Sequence, residues 1–159
     1  MGPILKIDGP YKMSFFISEV SSNHSQDLNR CLEFVDKSSE IGFDAIKFQL
    51  FEVEKLFSPE AIKSKPELLD RQAWELPKEF IPEIRKRCDQ KGIQLGCTPF
   101  YLDAVPFLEE YVDFFKIASY EMLWDDLIIS CCKSDKPLII STGMASIDEI
   151  EHAVNVAKE

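Results

Sequence analysis

No stretch of this sequence approaches the ~20 consecutive apolar residues that a helix needs to cross a bilayer. The opening MGPILKIDGPYKM also lacks the apolar core of a secretion signal. Cysteine pairing is equally unsupported. The five cysteines (Cys31, Cys88, Cys97, Cys131, Cys132) are odd in number and show no CxxC spacing. Cys131 and Cys132 are neighbours in an expected helix, which is poor geometry for a bridge. All five read as reduced thiols packed as small hydrophobes, so a soluble, cytoplasmic protein is expected. Positive charge is in short supply: 18 Lys and Arg against 28 Asp and Glu give a net charge of -10. That balance argues against non-specific nucleic-acid binding and against docking on anionic lipid. It also means that an anionic ligand must be held by a local cluster of cations within a repelling field. Histidine is limited to His24 and His152, and no low-complexity tract or interdomain linker breaks the chain.

What is present is a globular composition, 45% hydrophobic and 29% charged, arranged as β-rich runs that alternate with helix-like stretches. A small strand is expected at residues 4–7 and the first long one at 15–20. Helix follows over 27–41, with Leu28, Cys31, Leu32, Val35 and Ser39 on one face and Gly42 just past its end. A strand at 44–50 leads into an irregular stretch, 51–76, that contains Pro59 and Pro66. The next helix starts at Pro77 and stops at Gly92. Strands at 93–98, 114–118 and 138–141 then alternate with helices at 102–111, 124–133 and 146–158. Ser146 and Glu149 have capping-box spacing. Five βα units in succession imply an α/β protein with a parallel sheet and right-handed crossovers. A doubly wound sheet and a barrel both satisfy that pattern. A closed (β/α) barrel needs about 250 residues, so a chain of 159 is expected to be a fragment of a longer one, or to be completed by assembly.

The informative residues are the polar ones that interrupt the strands. Parallel strands covered on both faces should read as continuous apolar runs, yet DAIKFQLF carries Lys47 and Gln49, and DFFKIAS carries Lys116. Lys47 and Gln49 are two apart and project from the same side of their strand. Glu19, Thr98, Ser119, Ser141 and Thr142 stand at or just after the ends of the other strands. Carboxyl ends of strands are where ligands bind in barrels and open α/β sheets alike. A single lysine could simply be snorkelling, or paired with Asp44 or Asp113. Two lysines, an amide, a carboxylate and several hydroxyls on one rim instead suit a small, multiply charged anion. Gly143 permits close backbone approach beside them. Glu19 and Glu121 are the acid/base or hydroxyl-binding candidates.

These blocks carry a resemblance. SEVSSNHSQDLNRCLEFVDKSSEIGFDAIKFQLF is similar to the opening of sialic acid synthases, approximately A-E-[IV]-x-x-N-H-x-G-D followed by G-[AC]-D-A-[IVA]-K-F-Q. GCTPF, KIAS with Glu121, and STGM follow in the same order. The resemblance implies about the first five βα units of a TIM (β/α)8-type barrel. Residues 1–159 would be the N-terminal portion of a synthase domain, without the later strands and the antifreeze-like domain. The implied reaction condenses phosphoenolpyruvate with N-acetylmannosamine or a related N-acetylated amino sugar. It yields a nine-carbon 2-keto acid and phosphate. In these terms Lys47, Thr98, Lys116, Ser119 and Ser141 are placed like phosphoenolpyruvate contacts, and Glu19, Gln49 and Glu121 like sugar-facing groups. Glu121 would also serve in proton transfer or water activation. A divalent metal, Mn2+ or Mg2+, is implied, with ligands outside this chain. His24 is expected to shape the loop after the first strand, and His152 to lie on an outer helix. The complete protein would be a homodimer, and this half alone is expected not to turn over.

The chain departs from the family pattern at Ser18, at Ser25 and Gln26, and at Tyr120 and Trp124, the last two in a loop expected to face the sugar. Two other readings compete. A lysine Schiff-base aldolase on the same barrel would use Lys116 as nucleophile but leaves Lys47, Thr98 and Ser141 without a task. A half-barrel that binds a phosphosugar or serves in assembly would bind without turnover.

Overall fold

The computed structural model describes residues 14–158, and the small strand expected at residues 4–7 lies outside them. The five strands are β1 (Ile17–Glu19), β2 (Ala45–Leu50), β3 (Gln94–Pro99), β4 (Phe114–Ile117) and β5 (Leu138–Ile140). They form one parallel sheet in the order β1-β2-β3-β4-β5. Every new strand adds beside the one before it, so the order never reverses. A doubly wound sheet has a switch point where it does. Its absence among the described strands leaves the singly wound arc of a partial barrel.

Local signals account for most helix boundaries. α1 (Leu28–Ile41) starts where the Asp27 side chain accepts from the backbone N–H of Asn29 and Arg30, and it ends at Gly42, left-handed with φ 95. α4 (Ile81–Lys91) ends in the same way at Gly92, φ 68. Its start differs from expectation. A short 3-10 turn, Lys78–Phe80, precedes it, and the α-helix opens next to Pro82. Proline fits only the first helical turn, so Pro82 resets the start that Pro77 had suggested. The stretch read as irregular contains α2 (Val53–Leu56), α3 (Pro59–Ser64) and a 3-10 helix, Pro66–Trp74. These pieces are too short for a hydrophobic period to register. α3 is set instead by Ser58, whose hydroxyl accepts from Ala61 N at 3.2 Å. α5 (Ala104–Glu109), α6 (Asp125–Cys132) and α7 (Ile147–Val156) complete the chain, the last opening on the expected capping box of Ser146 and Glu149.

The core lies between the sheet and these helices. Ile46, Phe48, Leu50, Leu95, Cys97, Phe115 and Ile117 are all at most 1% exposed, and alternation puts them on the helix-facing side. Each large side chain so buried contributes about 1.5–3 kcal/mol. α1 is tied to α4 by Asp36, which pairs with Arg87 at 2.6 Å and Lys91 at 3.3 Å. Asp113 accepts from Arg85 at 2.6 Å and from Leu95 N at 2.7 Å, fixing α4 to the start of β4. Among the described residues no helix is long and apolar enough to cross a membrane.

The inner face of the arc has a built floor. Gly96 lies opposite Phe114 in the ladder, and a Cβ added at Gly96 would stand 2.2 Å from the Phe114 ring. The ring lies across the glycine and is fully buried. Only a residue without a side chain permits that packing.

Candidate active site

Register decides which side chains share the inner face. Glu19 pairs with Lys47 and Lys47 with Gly96, while Gln49 pairs with Thr98. Gly96 pairs with Phe114, so Lys116 and Thr98, each two residues further on, stand level. Side chains two apart on a strand share a face. Glu19, Lys47, Gln49, Thr98 and Lys116 therefore all stand on the same side, the first two level with Phe114 and the other three one step beyond it.

Lys47 extends along that face. Its ammonium forms an ion pair with Glu19 Oε2 and donates to Thr98 Oγ1 at 3.4 Å. The Lys47 side chain is 12% exposed and that of Glu19 43%, so the carboxylate sits on the solvent side of the pair. Asp44 and Asp113, the other partners considered for these lysines, are engaged elsewhere. Asp44 accepts from Phe16 N at 2.8 Å, and Asp113 holds Arg85. The Lys116 side chain makes no hydrogen bond or ion pair among the described residues. Burial pushes its pKa below the ordinary lysine value, and the Lys47 charge adds to that. Glu19 and Glu121 act in the opposite sense. Lys47 and Lys116 thus stand on one face, on strands separated by β3, with a carboxylate in contact with Lys47.

Glu121 follows β4 in a turn closed by its own N–H to Ala118 O at 3.1 Å. Its Oε2 is buried without a hydrogen-bond partner. Burial raises its pKa, with the Lys116 charge working against the rise. A buried, unsatisfied carboxylate oxygen is costly and favours the protonated form, as a proton donor requires. Gln49 does not join the lysines; it donates to Ser22 Oγ at 3.2 Å in the loop after β1. Ser119 meets the β5–α7 loop, where a Cβ added at Gly143 would lie 3.5 Å from Ser119 Cβ. Ser141 continues the ladder beyond β5, its N–H donating to Ile117 O at 3.0 Å.

His24 is fully buried, its Nδ1 accepting from Gln26 N at 3.0 Å. Burial lowers its pKa, the nearby Trp74 backbone opposing. It shapes the loop, as expected. His152 binds both Asp125 oxygens, at 2.9 and 3.1 Å, and joins α7 to α6 at the surface. Among the described residues no group of three or more His, Cys, Asp or Glu could hold a metal ion. The inner face does not fit one either. Glu19 is neutralised by Lys47, Glu121 has a raised pKa, and two ammonium groups repel a cation.

Sequence reasoning missed two features. Gln26 Nε2 donates to the carbonyls of Gln72 (2.7 Å) and Glu75 (3.1 Å), so the loop after β1 clasps the 3-10 segment. Tyr101 also carries the ammonium groups of Lys55 and Lys78, at 4.1 and 5.0 Å from its ring centre. Glu52 pairs with both lysines. The second cluster pins α2 and the turn before α4 beside the site. Its only sequence trace was an aromatic directly after GCTPF.

Known proteins resemble this chain in sequence and fold. An N,N'-diacetyllegionaminic acid synthase of Campylobacter jejuni is 31% identical, over 91% of this chain and 47% of that protein. The human N-acetylneuraminate-9-phosphate synthase is 27% identical, over 91% of this chain and 43% of that protein. This chain therefore spans a little under half the length of these curated relatives. A solved sialic acid synthetase of Leptospira borgpetersenii, in complex with citrate, superposes with TM-score 0.81 at 32% identity. It covers 91% of this chain and 50% of that one. A truncated 3-deoxy-D-arabino-heptulosonate 7-phosphate synthase of Thermotoga maritima, at 16% identity and TM-score 0.68, shares the fold. The NeuB family model matches residues 34–159, which takes in both strand lysines, and the chain belongs to the NeuB family.

Proposed function

We propose that this chain is the phosphoenolpyruvate-gripping half of an enzyme that condenses phosphoenolpyruvate with N-acetylmannosamine or a related N-acetylated amino sugar. The observation that carries this reading is the pair of inner-face ammonium groups, Lys47 and Lys116, with Thr98 beside them and a single contacting carboxylate. A phosphorylated enol acid supplies two anionic ends for two cations, which a neutral sugar does not. The related Leptospira sialic acid synthetase was solved in complex with citrate, itself a small polyanion.

In the proposed reaction, carbon 3 of the enol forms a bond to the open-chain sugar aldehyde carbon. The aldehyde oxygen takes a proton, assigned to Glu121, whose buried carboxyl favours the protonated form. Water then adds at carbon 2. The tetrahedral intermediate expels phosphate as its C–O bond breaks, leaving the 2-keto acid. Lys47 and Lys116 hold the phosphate and carboxylate through the loss of the leaving group, with Thr98, Ser119 and Ser141 as hydroxyl donors. Gln49 and Glu19 are assigned to the sugar. A metal acting on the aldehyde is assigned no ligand among the described residues.

A second reading draws on the lowered pKa of the unpartnered Lys116, which suits a Schiff-base nucleophile. Titration calorimetry with phosphoenolpyruvate separates the two. Condensation predicts that Lys47→Ala and Lys116→Ala each weaken binding 10-fold or more, about 1.4 kcal/mol. The surface variant Lys37→Ala should bind as the parent does. Equal binding in all three would remove the proposal, and a borohydride-trapped adduct of a keto acid at Lys116 would install the aldolase.

A further inference from the structure

Glu19 occupies a place that its sequence position did not suggest. It closes β1 directly opposite Lys47 in the ladder. One carboxylate oxygen pairs with the Lys47 ammonium, and the other accepts from Ser21 N at 3.0 Å. Lys116 has no partner of its own and lies within the field of both Lys47 and Glu19. The inner face thus carries two cations, and the protein's own carboxylate occupies the anion position at Lys47.

A largely buried ammonium is costly without a counter-ion, and a second lysine on the same face adds to that cost. Glu19 provides the counter-ion. Its side chain is 43% exposed against 12% for Lys47, so turning the carboxylate out to water costs little. A phosphate group brings more charge and more acceptor oxygens to the same lysines. We propose that Glu19 is a displaceable internal counter-ion: it holds Lys47 ready when the site is empty and competes with the ligand's anionic group for that ammonium. Displacement also breaks the bond to Ser21, a residue at φ 53. The change reaches the loop whose Ser22 accepts from Gln49. The freed carboxylate is then available to the second substrate. This inference rests on the phosphoenolpyruvate reading of the site.

The test removes the charge and keeps the shape. Glu19→Gln in the 159-residue chain retains an oxygen for Ser21 N but loses the pairing with Lys47. Calorimetry with phosphoenolpyruvate, and separately with inorganic phosphate, should give about 5- to 10-fold tighter binding than the parent at low salt. The advantage should shrink as ionic strength rises. Glu19→Ala should also tighten binding, which guards against an artefact of the amide. A merely structural role for Glu19 predicts unchanged or weaker binding in both variants, and that result overturns the inference. Parallel titrations of Lys47→Ala and Lys116→Ala keep the two claims apart. If the lysine variants lose affinity and the Glu19 variants fail to gain it, only the counter-ion idea falls. If the lysine variants bind like the parent, the reading of the site falls with it.

Discussion

The two faces of this sheet are made from the same strands and obey opposite rules. Alternate residues of β2 make the contrast within one element. Ile46, Phe48 and Leu50 are sealed beneath helices, while Lys47 and Gln49 between them face inward and reach Glu19, Thr98 and Ser22. The outer face is closed by packing and stabilises the fold. The inner face carries desolvated charge that contributes little or nothing to stability. Residues that do not stabilise and are held in a common register are best understood through what they bind.

Substitutions can break this contrast or sharpen it. The largest effect belongs to the outer face: Phe48→Ala should cost about 3–5 kcal/mol in urea unfolding, whereas Lys47→Ala should cost no more than about 1. Comparable losses would erase the distinction between the faces. Gly96→Ala forces a methyl into the Phe114 ring and should destabilise by about 1–3 kcal/mol. Pairing it with Phe114→Leu should recover part of that loss if the ring is the cause. Ser146→Ala removes the α7 capping box and should cost about 1 kcal/mol, leaving anion binding untouched because the cap lies outside the site. The smallest effect, and the most specific, is a pH dependence at Glu121. Its folded-state pKa is raised, so its contribution to stability is present at low pH and is lost as pH rises through that raised value. The unfolding midpoint of Glu121→Gln should therefore gain on the parent across that interval. A constant difference would place Glu121 in solvent.

Much of this is legible in the sequence. Gly42 and Gly92, and the Ser146–Glu149 pair, marked helix ends because their signals are local. Lys47 and Lys116 stood out because a charge inside an apolar strand violates a simple rule. What stayed hidden depends on distant parts of the chain meeting. Lys47 finds Glu19 only through the β1–β2 register, 28 residues apart in sequence. Gly96 gains its role only from Phe114, which lies across it from the neighbouring strand. The clasp between Gln26 and the carbonyls of Gln72 and Glu75 uses backbone acceptors, which no side-chain pattern announces. Pro82, not Pro77, sets the start of α4, because two similar local signals compete and the later proline fits only the first turn of a helix.

A structure of this chain crystallised with phosphoenolpyruvate tests the account most directly. The phosphate or carboxylate oxygens should lie at about 2.7–3.0 Å from both the Lys47 and Lys116 Nζ atoms, above the Phe114 ring. A ligand bound elsewhere, or either ammonium turned outward toward the helices, would contradict it.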